Sequence, residues 1–129
     1  METYSVESFN QKMRTRTKDF AISVYLMLKG IKLNDLNRVI VIQLMKSASS
    51  VAANYNSATR GRSEAEYYSK LCIVVEECDE TIFWLDFLVE AGIITCDQTK
   101  CINPEAEELL KIFATIKKKL KIKRTQQPH

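Results

Sequence analysis

The chain has 129 residues, 46% of them hydrophobic, with only three Gly and two Pro. That size suits one compact domain spanning residues 1–129, and so few turn formers argue against a fold of short strands. The one histidine is the last residue, His129, which excludes Ser-His and Cys-His catalysis and the Glu-x-x-His ligands of di-iron bundles. No apolar run approaches the roughly 20 residues of a membrane span, and Met1 to Glu7 lacks a signal peptide's basic and apolar regions, so a cytoplasmic protein is expected.

Two starts fit the first helix: a cap at Ser8 with Gln11, or a later one at Thr15 or Thr17. From Thr17 the pattern is firm. Phe20, Val24, Met27 and Ile31 extend a seam begun by Met13 and Thr17, and Gly30 ends it, which places helix one at about 17–30. Asn34 suits the N-cap of helix two, at about 35–60, whose seam is Val41, Leu44, Ala48, Val51 and Tyr55. Its small residues, from Ser47 to Ala53, let another helix approach closely, from the same chain or a second copy.

Thr59 to Ser63 forms the hinge. Gly61 tolerates the left-handed conformation that closes a helix, and Ser63 with Glu66 makes a capping box for helix three, at about 64–91. The spacings of Tyr68, Leu71, Val75, Cys78, Ile82, Leu85 and Val89 give helix three its seam, so helices two and three form an antiparallel hairpin. Folding about Gly61 pairs residues whose numbers sum to roughly 123, setting Gln43 level with Glu80 and Ser47 with Glu76. Gln43, Ser47 and Asn54 then face Glu76 and Glu80 as a candidate polar network, unless those carboxylates are simply solvated. Away from the seam, Phe83, Trp84 and Phe87 cluster on one face, a candidate oligomer interface. The chain's own N-terminal segment is the alternative cover.

Gly92 ends helix three and a loop follows, from Ile93 to Ile102. Asn103 and Pro104 then open helix four, at about 104–123, as N-cap and first helical residue, and its seam is Ala106, Leu109, Phe113, Ile116 and Leu120. Thr125 to His129 reads as a frayed tail. Cys72 and Cys78 lie within helix three and read as free thiols, while Cys96 and Cys101 have poor spacing for zinc. No metal, cofactor or catalytic residue is expected, and a metal site built from Glu76, Glu77, Asp79 and Glu80 is disfavoured without histidine.

Several stretches resemble the family of small four-helix-bundle proteins named for reading frames inside intervening sequences of 23S ribosomal RNA genes. They are Ser50 to Tyr55, Arg60 to Tyr67, Lys70-Leu71, Glu76 to Thr81 and Trp84-Leu85. The resemblance implies an all-α fold, an antiparallel up-down-up-down four-helix bundle, assembled into a ring that is usually a homopentamer. It extends in architecture to the accessory protein of diversity-generating retroelements, a basic ring that engages a reverse transcriptase and nucleic acid. Ala52 departs from the family pattern, standing where Gly or Pro is usual.

The net charge of +3 is unevenly spread: residues 71–99 hold seven acidic side chains and no Lys or Arg, which leaves the rest of the chain at +10. In an up-down bundle, the start of helix one, the turn between helices two and three and the end of helix four share one pole. Arg14, Arg16, Arg60, Arg62, Lys118 and Lys121 would then form a candidate surface for RNA or DNA backbone. The competing reading of the lysines is that they complement the dipole of helix four. The expectation is a non-enzymatic, ring-forming nucleic-acid-binding protein that serves as accessory to a nucleic-acid enzyme. The alternative is a module that docks a protein partner on the aromatic and acidic faces of helix three.

Overall fold

The computed structural model describes residues 5–126 and places them in five helices: α1 (Val6–Lys29), α2 (Asp35–Ala58), α3 (Glu64–Glu90), α4 (Cys96–Thr99) and α5 (Ile102–Gln126). The described residues contain no strand. α2 packs on α1 and α3, and α5 packs on α3 and α1, so the four long helices enclose one core, with α1 and α3 at opposite corners. The side chains of Val24, Leu44, Val51, Tyr55, Leu71, Leu85, Leu109 and Phe113 are completely buried in it. Tyr55 and Phe113 meet across the centre with ring centroids 4.9 Å apart.

The first helix begins earlier than either expected start. Ser5 is its N-cap, with its hydroxyl accepting the Ser8 N–H at 3.0 Å, and Met13 is buried in the core. α2 matches its expected seam, with all five of Val41, Leu44, Ala48, Val51 and Tyr55 buried and Asn34 as its cap.

The hinge differs in mechanism from the expectation. Gly61 does not adopt positive φ. A Cβ there would lie 3.2 Å from the Ala58 carbonyl oxygen and 3.3 Å from Glu66 Cβ, so the small residue answers a close approach. Ser63 caps α3 by accepting the Glu66 N–H, while the Glu66 carboxylate reaches one residue further back, to the Arg62 N–H at 2.6 Å.

α3 ends in a Schellman motif. Ile93 donates its N–H to the Leu88 carbonyl and Gly92 donates to Val89, with Gly92 at φ 75°. Nothing crowds a Cβ at Gly92, so Gly92→Ala isolates the backbone cost. We expect a loss of about 1 kcal/mol in the denaturant-unfolding free energy.

The expected loop contains the short α4, enclosed by a capping box: Thr95 Oγ1 accepts the Gln98 N–H and Gln98 Oε1 accepts the Thr95 N–H. The last long helix starts at Ile102, ahead of Asn103, because Ile102 is buried and Asn103 Nδ2 turns back to Thr99 Oγ1. Pro104 still falls in the first turn, where its missing N–H costs no intrahelical bond. Thr125 and Gln126 continue the helix, contrary to the frayed tail, and residues 127–129 lie outside the described residues. No helix of the described residues is long and apolar enough to cross a membrane.

Candidate functional site

The six candidate cations separate into two groups. Arg14 and Arg16 are tied down within the protein. The Arg14 guanidinium donates to Thr59 Oγ1 at 2.9 Å and pairs with Glu7 at 2.6 Å, and its side chain is only 16% exposed. Arg16 makes a two-point contact with Glu105, through Nε at 2.7 Å and Nη2 at 2.6 Å, and reaches Glu108 at 3.0 Å. Hydrogen bonding to Glu105 holds its pKa above the usual range, so its charge is committed to the α1–α5 contact. Glu105 and Lys121 lie on the same helix about 24 Å apart along its axis. Arg14 and Arg16 are therefore already paired with carboxylates, unlike the other four candidates.

Arg60, Arg62, Lys118 and Lys121 are all exposed, and their side chains have no ion-pair partner among the described residues. The end of α5 lies beside the start of α3: Lys123 Nζ is 3.2 Å from Glu64 Oε1, and the Arg124 guanidinium stands 5.0 Å over the Tyr68 ring. Arg60, Arg62 and Lys70 line one open cleft together with Asn56, Ser57 and Ser69. Glu66 is the carboxylate in this cleft, and one of its oxygens is occupied by the Arg62 N–H.

Phe83 and Phe87 face outward as expected, whereas Trp84 is half-buried against the core. Phe83 is 57% and Phe87 38% exposed, and Trp84 packs edge-on against both, at 4.9 and 5.5 Å between centroids. Trp84 Nε1 donates to Glu80 Oε1 at 3.2 Å. Phe87 shares a cleft with Ile31, Leu36, Ile40 and Ile93, which carries the apolar surface over to α2. The start of α1 does not cover it; there Asn10 instead accepts the Tyr55 hydroxyl, near the end of α2. Residues 1–4 lie outside the described residues.

The polar network takes a different form. The buried seam of α3 is Leu71, Val74, Cys78, Thr81, Leu85 and Leu88, rotated from the expected one, so Glu77 rather than Glu76 faces α2. Lys46, Ser47, Ser50, Glu77 and Glu80 line a small cleft, close to the expected register. No hydrogen bond joins Gln43, Ser47 or Asn54 to Glu76 or Glu80: Ser47 bonds the Leu44 carbonyl and Asn54 bonds Ser50, each within α2. Among the described residues no group of three His, Cys, Asp or Glu is arranged to hold a metal ion.

Burial, then repulsion from Glu80 and Glu76, raises the Glu77 pKa, so its ionised form opposes folding. Glu77→Gln should therefore stabilise the protein slightly at pH 7, within about 0.5 kcal/mol. The gain should vanish as pH falls below the carboxylate range and Glu77 itself becomes neutral; urea midpoints at the two pH values check this. Burial also pushes the Cys78 thiol up to about 12, which leaves it unreactive at neutral pH.

A sequence model of the 23S rRNA-intervening sequence protein family matches residues 10–115. The chain belongs to this family. A crystal structure from Bacteroides thetaiotaomicron, of a protein of unknown function in the S23 ribosomal protein family, is similar to it. It shares 28% identity with a TM-score of 0.74, covering 84% of this chain and 97% of that one. The search of curated proteins finds no match. The matched range includes the α2–α3 hinge, whose Arg60, Gly61, Arg62 and Glu66 line the basic cleft.

Proposed function

We propose that this member of the family is a non-enzymatic, up-down-up-down four-helix bundle that assembles into a ring and binds RNA or DNA backbone. Arg60, Arg62, Lys118 and Lys121 carry the phosphate contacts, and Phe83, Trp84 and Phe87 carry assembly. The supporting observation is the set of exposed cations, without ion-pair partners among the described residues, on two segments that the Lys123–Glu64 contact draws together. In a ring every subunit presents the same basic end, which multiplies the field at the phosphates. Lysine and arginine at backbone phosphates give little sequence readout, which suits an accessory to a nucleic-acid enzyme. The five-membered ring follows from the family resemblance, and with the cytoplasmic setting expected from the sequence it belongs to the same proposal.

Retention on single- or double-stranded nucleic acid should fall steeply with added salt, and a flat response would overturn the binding role. The exposed aromatic cluster, set in the acidic helix α3, also favours a second reading, in which this face docks a protein partner. Persistence of the oligomer after Trp84 and Phe87 are both made polar would favour that reading over assembly.

A further inference from the structure

The aromatic face of α3 is bracketed by charge. Glu80, Phe83, Phe87 and Glu90 follow at spacings of three, four and three, a stripe on one outward side of the helix, with Glu80 and Glu90 exposed at its ends. α1 carries a second stripe that nothing in the described chain covers. Lys18, Ile22, Tyr25 and Lys29 follow at spacings of four, three and four, all exposed. Ile22 is 44% exposed, and Tyr25 and the adjoining Leu26 are each 53% exposed. Neither lysine has an ion-pair partner among the described residues, and Asp19 turns toward the neighbouring cleft with Lys12 and Arg16.

The two stripes match in length and oppose in charge. Twelve residues of α1 and eleven of α3 span about 16 and 15 Å at helical rise. Each has two apolar side chains at its centre, with cations at both ends of one stripe and carboxylates at both ends of the other. α1 and α3 stand at opposite corners of the core, so the stripes look outward on different sides of the protein. A contact of α3 with α3 would set Glu80 and Glu90 against their own kind, and α1 with α1 would do the same with lysines, so an isologous pairing is penalised.

Resting on the self-assembly reading above, we infer that the α3 face of one subunit receives the α1 face of the next. Ile22, Tyr25 and Leu26 seat on Phe83 and Phe87, and Lys18 and Lys29 stand opposite Glu80 and Glu90. The contact is head-to-tail, so every subunit offers one face and uses the other, as a closed ring requires.

Two variants test this, Phe83→Gln/Phe87→Gln and Tyr25→Gln/Leu26→Gln. Sedimentation velocity is run on each alone and on their equimolar mixture, with helicity checked by circular dichroism. Each variant alone should be monomeric where the unaltered chain assembles. The mixture should form a heterodimer and stop there, because only one intact face of each kind remains. A mixture that stays monomeric, or an α1 variant that assembles like the unaltered chain, overturns the inference while leaving assembly through α3 intact. An unaltered chain that is monomeric overturns the assembly reading itself. A charge-reversal set serves as the second measurement and leaves the apolar residues in place. Lys18→Glu/Lys29→Glu and Glu80→Lys/Glu90→Lys should each weaken association at least tenfold, and all four changes together should restore it. Failure of that restoration also counts against the pairing.

Discussion

Phe113→Ala should lower the unfolding free energy by about 3–5 kcal/mol, the range for removing a buried aromatic ring. The Phe113 side chain is completely buried and its ring packs on that of Tyr55, itself completely buried, so the vacated space lies at the centre of the core. Tyr55 offers no easy collapse into it, because its hydroxyl is held by Asn10 at 3.2 Å. Since a small protein has roughly 5–15 kcal/mol in total, the loss is a large share of what keeps it folded. Urea unfolding with an unchanged slope and a much lower midpoint is the expected result. A loss under about 1 kcal/mol would mean that the ring pair does not organise the core.

α2 was legible from its sequence because polar residues break up its apolar positions between Val41 and Tyr55. α3 was less so. Leu71 to Val75 is apolar at every position, so two seams a fraction of a turn apart fit equally well, sharing Leu71, Cys78 and Leu85. The one adopted buries Thr81, which becomes tolerable only because its hydroxyl donates to the Glu77 carbonyl at 2.7 Å. That bond is a property of the formed helix, and it decides that Glu77 and not Glu76 meets α2.

The candidate site shows the same division between local and distant information. The outward placement of Phe83 and Phe87 could be read from helical spacing, since both seams leave those positions outside. The fate of Arg14 and Arg16 could not. Arg14 has a local partner in Glu7, two turns back on its own helix, but Thr59 and Glu105, which fix Arg14 and Arg16 against other helices, are 45 and 89 residues away and no local pattern gives them. Glu105 fitted equally well as a charge complementing the positive end of its own helix, which is the local role that hid the distant one.

Neutralising Arg60, Arg62, Lys118 and Lys121 together, each to Gln, should weaken nucleic-acid binding on the order of a thousandfold at 0.1 M salt, if each contributes one phosphate contact. The same release of counterions fixes a second observable. The slope of log K against log salt should become shallower by roughly 3 to 4 for a duplex. Folding stability should hardly move, because all four side chains are exposed and none makes an ion pair among the described residues. Arg16→Gln provides the contrast: it breaks the two-point contact with Glu105 and the link to Glu108, so it should cost stability while leaving the salt slope unchanged. Titrations over a salt series, with thermal midpoints for the same proteins, separate the two kinds of arginine. If Arg16→Gln lowers the slope and the fourfold variant does not, the phosphate surface lies along α1 and not at the α2–α3 turn.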